Sequence, residues 1–180
     1  GYAIADLQEG LGDGVRIVRS MPNTPAMVGE GMSGGSYDEA LFTDEEKAVI
    51  DGFFTSFGKM EKVDEKLMDV VGSASGCSPA YVYMFIEAMA DGAVKLGLPR
   101  KVAIQAAAQA VLGSAKMVLC SGEHPAQLKD NVCSPAGTTI EAVGVLEKSG
   151  FRGIIMNAMD ACAQKNRKFA QAYERRKNER

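Results

Sequence analysis

The pattern of apolar and polar positions divides the chain into a short mixed part and a longer helical part. In the first 63 residues, short apolar runs alternate with turn residues around one helical segment, which predicts the order β-turn-β-α-β. The predicted strands are 15–19, 31–37 and 60–63, with 31–37 as a short edge strand. From residue 64 to residue 180, apolar positions recur at helical spacing. The chain is therefore predicted to be mainly α, with two domains, 1–63 and 64–180.

Helix start and stop signals support this division. Thr43 and Glu46 form a capping box at the start of a helix, and Gly58 is expected to end that helix. A serine followed by proline, Ser78-Pro79, is expected to cap the first long helix. We expect that helix over 79–96, further helices over 99–119, from His124 and up to Gly150, and a last one from Phe151.

The first long helix begins with apolar residues on every face, over positions 80–86. A helix that is apolar all round must be buried on all sides. In a domain of this size, a second subunit is the simplest source of the extra cover. The next helix is rich in alanine, which lets helix backbones approach closely. The pattern therefore predicts a homodimer, with a higher even oligomer left open.

Charge and composition exclude several classes of function. The 180 residues carry a formal net charge of -3, so there is no basic face for nucleic acid. Unbroken apolar stretches are short of a membrane span, and no leader opens the chain. The four cysteines form no CxxC pair or zinc framework, which indicates reduced cytoplasmic thiols and no metal site. We expect a cytoplasmic protein without membrane or nucleic-acid partners.

The strongest candidate site is the segment 134–140, SPAGTTI, where small and hydroxylated residues precede a helix. The first backbone N–H groups of a helix have no intrahelical acceptor, and the helix dipole adds positive potential there. Together they form an anion pocket without a charged side chain. The alternative, left open by the spacing alone, is a plain helix cap.

Two other segments are candidates for close approach by a ligand. Segment 72–81 places small residues before a helix, although a tight turn explains it equally well. Segment 21–25, MPNTP, follows a predicted strand, where ligands bind in open α/β sheets. Its Asn23 is a plausible polar contact, and a rigid turn is the alternative. His124, the single histidine, fits a helix entry better than a general base.

Five segments, taken together, resemble pyrroline-5-carboxylate reductase in order and spacing across almost the whole chain. The last of them is similar to the signature segment of that family. They are MPNTP at 21–25, SGCSPAY at 75–81, EAxADG at 87–92, GLPR at 97–100, and HPxxLKxxVxSPxGxT at 124–139.

The resemblance implies an enzyme that reduces the C=N bond of 1-pyrroline-5-carboxylate to give L-proline, with NADPH or NADH as the hydride source. It implies that 1–63 is the end of a Rossmann-type dinucleotide-binding domain. It also implies that 64–180 is an all-helical substrate-binding and dimerisation domain, two copies of which interleave. The substrate site is then expected beside the nicotinamide at the dimer interface.

Site residues follow from the same resemblance. The substrate carboxylate is expected on the backbone amides of Gly137, Thr138 and Thr139, with Ser134 nearby. The Thr139 hydroxyl is expected to hydrogen-bond the ring nitrogen, which makes it the catalytic candidate. The cofactor-side candidates are Met21, Pro22 and Asn23. Because the substrate carries its own electrophile, hydride transfer needs positioning more than a protein nucleophile.

Two features depart from the family pattern. The family commonly has two glycines after Ser-Pro, whereas the first position here is Ala136. A G-x-G-x-x-G phosphate loop after a strand does not occur in the sequence, since Gly10, Gly12 and Gly14 have another spacing and context. We therefore expect the 180 residues to bind NADP(H) weakly and to be inactive alone.

Two other functions are alternatives to the reductase. A β-hydroxyacid dehydrogenase would carry a G-x-x-x-K-x-x-N pattern on one helix, but the lysines Lys95 and Lys116 stand at the wrong spacing from Gly92 and Gly113. A helical dimerisation module without catalysis belongs to a different class. Solution mass and a turnover assay on the full-length protein distinguish it from the reductase.

Overall fold

A computed structural model describes residues 2–12 and 14–178, with side chains up to residue 173. The helices are α1 Ile4–Leu11, α2 Asp44–Thr55, α3 Met68–Val71, α4 Ser78–Lys95, α5 Arg100–Ser121, α6 Pro125–Asn131, α7 Thr138–Lys148 and α8 Phe151–Asn178. The strands are β1 Arg19–Met21, β2 Gly31–Ser36 and β3 Gly58–Lys62. The predicted mainly helical fold with a small preceding sheet is confirmed.

The sheet has the order β1-β2-β3, with β1 antiparallel and β3 parallel to β2. Helix α2 is the crossover between β2 and β3, so the predicted β-turn-β-α-β order is correct. The first strand lies later than predicted, because β1 begins at Arg19 and only three residues pair with β2. Residues 15–18 form no regular element in the described chain, and the Arg16 side chain is instead bonded to Glu46 on α2.

Strand β2 is central, and its prediction as an edge strand was wrong. Its glycines allow neighbours to approach on both faces. A Cβ on Gly34 would lie 2.5 Å from Val71 Cγ1, and one on Gly35 would lie 2.6 Å from Met60 Cε. The glycine-rich sequence therefore marks close packing in the middle of the sheet rather than a weak edge.

Helix α2 begins at the predicted capping box. The Glu46 amide donates to Thr43 Oγ1 at 3.3 Å, and the Thr43 amide donates to Glu46 Oε2 at 2.9 Å. The inner face of the helix buries Phe54, whose ring contacts Phe53 and Phe57 edge-on. Helix α2 ends at Thr55, and Gly58 starts β3 instead of serving as the predicted stop.

The segment before α4 is more helical than the sequence suggested. A 3₁₀ turn at Glu65–Leu67 leads into α3, and Gly72–Gly76 forms a π-helical turn. Ser78 does not cap α4 as predicted. Its hydroxyl donates to the Ser75 carbonyl at 3.4 Å, because the helical path already continues through this segment. Pro79 is tolerated since the first turn of a helix does not need its amide.

The chain folds as two compact units, of which the first is discontinuous in sequence. Unit 1 comprises Gly1–Pro79 and Asn157–Arg180, and unit 2 comprises Ala80–Met156. In unit 1, α3 packs on β2 and buries Met68 completely. All of α8 from residue 157 onward joins this unit, where the rings of Tyr2 and Tyr173 meet edge-on with centroids 4.8 Å apart.

Unit 2 consists of helices and buries few large side chains. Its buried residues on α4 and α5 are alanines: Ala90, Ala103 and Ala107. The predicted close approach of alanine-rich helices agrees with this burial. At the start of α4, four consecutive apolar residues remain exposed, Val82, Tyr83, Met84 and Phe85. An open apolar groove of about 430 Å³ runs along the same unit, lined by Phe85, Met89, Val111 and Val118 among others.

Among the helices that the structure describes, α5 is long and apolar enough to cross a membrane by length and composition. One such helix is weak support for a membrane span, because helices that pack against protein pass the same test. Most of α5 is exposed in the single chain. The expectation of no membrane contact stays a prediction.

Candidate functional site

The segment between α6 and α7 forms a tight turn that leads directly into the start of α7. The Gly137 amide donates to the Ser134 carbonyl at 3.0 Å, which closes a four-residue turn with Pro135 at its second position. Ala136, at the third position, has φ of 56°. Proline second and positive φ third are the marks of a type II turn, which favours glycine at the third position. A glycine, which the family commonly has at this position, would adopt this φ without strain, whereas Ala136 does not.

Ser134 and Gly137 are in direct contact across this turn. A Cβ built on Gly137 would lie 2.3 Å from Ser134 Oγ, so any larger residue would collide with the hydroxyl. Gly137 has an ordinary φ of -80°, which every residue can adopt. A larger residue therefore fits at this position only if the hydroxyl of Ser134, which lies at the start of α7, moves away.

The start of α7 offers backbone N–H groups to an anion. Gly137 is the N-cap and, as far as the structure describes this end, no side chain caps the helix. The amides of Thr138 and Thr139 belong to the first turn and have no intrahelical acceptor. The amide of Gly137 is already used in the turn. Ser134, Thr138 and Thr139 are exposed, which leaves their hydroxyls available.

The cofactor-side candidates Met21, Pro22 and Asn23 lie in unit 1, whereas the substrate-side candidates lie in unit 2. Asn23 Nδ2 donates to the Ser75 carbonyl at 3.0 Å, and Asn23 Oδ1 accepts from the Met32 amide at 2.9 Å. An asparagine amide offers two N–H groups and two lone pairs, so one of each remains. The side chain fixes the turn and keeps one donor for a ligand.

Met21 anchors the other side of the same turn. Its side chain packs against the π-helical turn, where a Cβ on Gly72 would lie 3.3 Å from Met21 Cε and one on Gly76 would lie 3.9 Å from Met21 Cγ. Pro22, between the two anchored residues, is exposed. The structure thus brings together two segments that the sequence singled out separately, 21–25 and 72–81.

The predicted role of His124 as a helix-entry residue is confirmed, and the nearby Lys129 also has a partner. His124 Nδ1 accepts from the Ala126 amide at 3.2 Å, so the single histidine caps α6. Lys129 forms a surface ion pair with Asp130 at 2.5 Å. The hydrogen bond with Asp130 is the main cause that raises the pKa of Lys129. These two side chains thus have structural partners in place.

Two relationships in unit 1 carried no sequence signal. Glu65 Oε1 accepts from the Ile4 amide at 2.6 Å and from Arg19 Nη1 at 3.0 Å, which ties α1 and β1 to the 3₁₀ turn. The sulfur atoms of Cys77 and Cys162 lie 3.0 Å apart. Both relationships join residues far apart in sequence, and local periodicity does not encode such pairs.

Comparison with known proteins gives a consistent family. A family model described as pyrroline-5-carboxylate reductase dimerisation matches residues 65–169. The chain is 51% identical over 172 residues to a pyrroline-5-carboxylate reductase of Escherichia coli, which covers 96% of this chain and 64% of that protein. It is 48% identical to one of Arabidopsis thaliana, with 96% and 62% covered. The chain thus spans less than two thirds of these relatives.

Solved structures agree with the fold. A pyrroline carboxylate reductase of Plasmodium falciparum with NADP bound has a TM-score of 0.80 and 40% identity, covering 90% of this chain and 65% of that one. A pyrroline-5-carboxylate reductase of Coxiella burnetii has a TM-score of 0.87 and 32% identity, covering 92% and 62%. Since the family model matches more than half of the residues, the chain belongs to the pyrroline-5-carboxylate reductase dimerisation family.

Proposed function

We propose that this chain is the substrate-binding and dimerisation part of a pyrroline-5-carboxylate reductase, which reduces the C=N bond of 1-pyrroline-5-carboxylate to give L-proline. The observation that carries the proposal is the turn at 134–137, which opens onto the uncapped start of α7 within the matched segment. The relatives in the comparisons bear this enzyme name over nearly the whole chain.

The substrate carboxylate is proposed to rest on the start of α7. The amides of Thr138 and Thr139 point out of the first helical turn, and the helix dipole favours an anion there. Gly137 gives space for close approach and its own amide supports the turn rather than the ligand. Ser134 supplies a hydroxyl at the same helix start. The pocket thus selects a carboxylate without a charged side chain.

Thr139 is proposed to act on the ring nitrogen. When bound, the reduced nicotinamide supplies a hydride to the imine carbon. The π electron pair of the C=N bond moves to nitrogen. A protonated imine becomes the neutral amine in this step, and an unprotonated imine takes up one proton. The Thr139 hydroxyl, which is exposed at the helix start, is proposed to accept from the N–H of the protonated imine and to stabilise its charge.

The residues of unit 1 fit the nicotinamide end of NADP. Exposed Pro22 stands between two fixed neighbours, and Asn23 retains one N–H donor for a carboxamide. The preference for NADPH or NADH and the binding of the phosphates are assigned to residues outside these segments, because no Gly-rich phosphate loop after a strand occurs in the sequence. That assignment supports the expectation that the 180 residues alone are inactive.

A homodimer is proposed as the assembly, with higher even oligomers as an extension. Tyr83 and Met84 on α4 are 59% and 68% exposed, although they stand in an apolar run. Four consecutive exposed positions cover every face of the helix, so burial by the same chain leaves large apolar area in water. A second copy would supply the missing cover, and the name of the matched family agrees with this reading.

The domain boundary at 63/64 is also a proposal. It is supported by the family match, which begins at residue 65. The compact units divide the chain elsewhere because residues 64–79 pack with the sheet, and Asn157–Arg180 belongs to the same unit. Cytoplasmic location belongs to the same proposal, and its support is that all four cysteines are free thiols.

The direct test is turnover by the full-length protein, followed as loss of reduced nicotinamide absorbance and gain of L-proline. Thr139→Val removes the hydroxyl at nearly constant volume and is expected to lower kcat/KM about 10- to 100-fold, the value of one hydrogen bond to a charged group. Thr139→Ser should restore most of the activity. Thr138→Val is the matched control, since the proposal uses only its backbone.

A full-length protein that dimerises but produces no proline would refute the reductase and favour a dimerisation module without catalysis. Equal turnover by the wild type and Thr139→Val would remove Thr139 from the reaction while leaving the family assignment intact. A large loss in Thr138→Val with none in Thr139→Val would exchange the two roles.

A further inference from the structure

Two cysteines of unit 1 form a close dithiol that the proposed reaction does not use. Cys77 follows the π-helical turn directly, and Cys162 lies in the middle of α8, 85 positions later in the sequence. Cys162 Sγ donates to Cys77 Sγ across 3.0 Å. Both side chains are partly exposed, so a small solute can reach them.

We infer that Cys77 and Cys162 are a modification site, at which a low-molecular-weight disulfide oxidises the pair to a reversible intrachain disulfide. A disulfide requires the two sulfur atoms to lie about 2.05 Å apart, so they need to approach by about 1 Å. Cys77 directly precedes α4, and rotation of the two cysteine side chains about their Cα–Cβ bonds can supply this movement.

The reaction balances without any further reagent. One thiolate attacks a sulfur of the small disulfide, forming a mixed disulfide and releasing one thiolate. The second cysteine then attacks the protein sulfur of the mixed disulfide, forms the Cys77–Cys162 bond and releases the other small thiolate. Two protein thiols are oxidised, the reagent is reduced to two thiols, and these take up the two protons.

The pKa of Cys77 is raised above its ordinary value, first by the hydrogen bond with Cys162 and then by partial burial. Cys77 is therefore not an activated thiolate, and the site depends on the nearness of the second thiol. Cys120 and Cys133 belong to unit 2 and lie outside this pair.

Oxidation would have a topological consequence. Unit 2 spans Ala80–Met156, which lies entirely between the two cysteines in sequence. The bond would close a covalent loop that contains all of unit 2. Within unit 1, it would link the place where the chain leaves for unit 2 to the place where it returns. It would also fasten the segment whose Ser75 carbonyl accepts from Asn23.

The test is peptide mapping of the full-length wild-type protein after equilibration with oxidised and reduced glutathione, acid quenching and alkylation. Trypsin places the four cysteines in different peptides: 67–95, 117–129, 130–148 and 153–165. The expected product is a disulfide between peptides 67–95 and 153–165 of one and the same chain. That chain has lost two hydrogens and carries no glutathione. Dithiothreitol should reverse it.

Variants separate this pair from the other thiols. Cys77→Ser and Cys162→Ser should each abolish the internal cross-link, and Cys120→Ser with Cys133→Ser should leave it unchanged. The inference is overturned if the wild type yields only glutathione adducts, only links between chains, or a link between 117–129 and 130–148. Mapping of the wild type decides this even where a variant fails to fold.

Discussion

The side-chain amide of Asn23 joins the turn after β1 to the π-helical turn before α4, through a 3.0 Å hydrogen bond to the carbonyl of Ser75. The same side chain accepts from the amide of Met32 at the start of β2. One residue therefore ties together three segments that are far apart in sequence. The role of the MPNTP motif is thus structural before any ligand is considered.

Removing this link should destabilise unit 1. Asn23→Leu leaves the Ser75 carbonyl and the Met32 amide without their partner, and we expect a loss of about 1–3 kcal/mol in the free energy of unfolding. Asn23→Asp keeps the acceptor and loses the donor, so it should fall between Asn23→Leu and the wild type. Urea denaturation measures the difference. Thr24→Ala, at the exposed next position, is the control. Equal stability of the wild type and the three variants would show that the hydrogen bonds of Asn23 do not stabilise unit 1.

Gly137→Ala should be destabilising through one contact. The new Cβ would lie 2.3 Å from Ser134 Oγ, so the hydroxyl must move, at a cost of roughly 1–3 kcal/mol for overpacking. Ser134→Ala in the same chain should recover part of this loss, which a double-mutant cycle reports as coupling.

Gly52→Ala is the control for that experiment. Gly52 is exposed on α2, and a Cβ there meets nothing within 4 Å. It should be neutral or stabilise by roughly 0.5–1 kcal/mol through helix propensity. Additive effects of Gly137→Ala and Ser134→Ala would show that the contact is absent.

Ala136→Gly should stabilise the turn. Alanine at φ of 56° is in the left-handed region, which costs roughly 1–2 kcal/mol, whereas glycine adopts it freely. Greater freedom of glycine in the unfolded chain offsets roughly 0.4–1 kcal/mol, so a net gain between zero and about 1.6 kcal/mol is expected. Ala136→Val should lose stability. Thermal unfolding distinguishes these outcomes, and a lower melting temperature for Ala136→Gly would contradict the turn assignment.

The start of α2 should weaken in acid. The hydrogen bond from Arg16, followed by the amide of Thr43, lowers the pKa of Glu46 from its ordinary 4.5 to about 2. A depressed folded-state pKa stabilises the fold above the unfolded value, and this contribution is lost as pH falls from 4.5 towards 2.

Glu46→Gln should therefore flatten that part of the stability profile, measured by urea denaturation at several pH values. Glu30→Gln removes an exposed carboxylate elsewhere and should retain the slope. An NMR titration of Glu46 with an ordinary midpoint would refute the assignment.

Dimerisation should depend on the exposed apolar start of α4. Met84→Asp places a charge in the surface proposed to be covered by the second copy, and we expect the mass measured by light scattering to fall to that of a monomer. Val49→Asp, at an equally exposed apolar position on α2, is the matched control. A wild type that is a folded monomer would remove the interface proposal.

Local signals predicted the helical part well. Capping residues and proline positions located the starts of α2 and α6, and the glycine Gly150 separated α7 from α8. The sheet was harder, because the centrality of β2 depends on what packs over Gly34 and Gly35, and both neighbours come from other elements. The π-helical turn was missed since small residues are equally compatible with an open loop.

The sequence indicated the chemistry of the candidate site, an anion-binding helix start at 134–139, and this stays a prediction. The structure adds its geometry, a tight turn in which Ser134 contacts Gly137. The sequence did not indicate that the Gly137 amide is used internally. The turn that uses the Gly137 amide depends on the positive φ of Ala136, and an alanine in the sequence does not predict a positive φ.

The discontinuity of unit 1 has a consequence for the order in which the protein is made. Ribosomes release the chain from its N-terminus, so the sheet and α1 emerge long before residues 157–178 of α8. All of unit 2 is synthesised in between, and its helices, whose contacts are local, can form first. Unit 1 is therefore complete only once residues 157–178 have been made, and a nascent chain stopped before residue 157 would lack the part of α8 that belongs to unit 1.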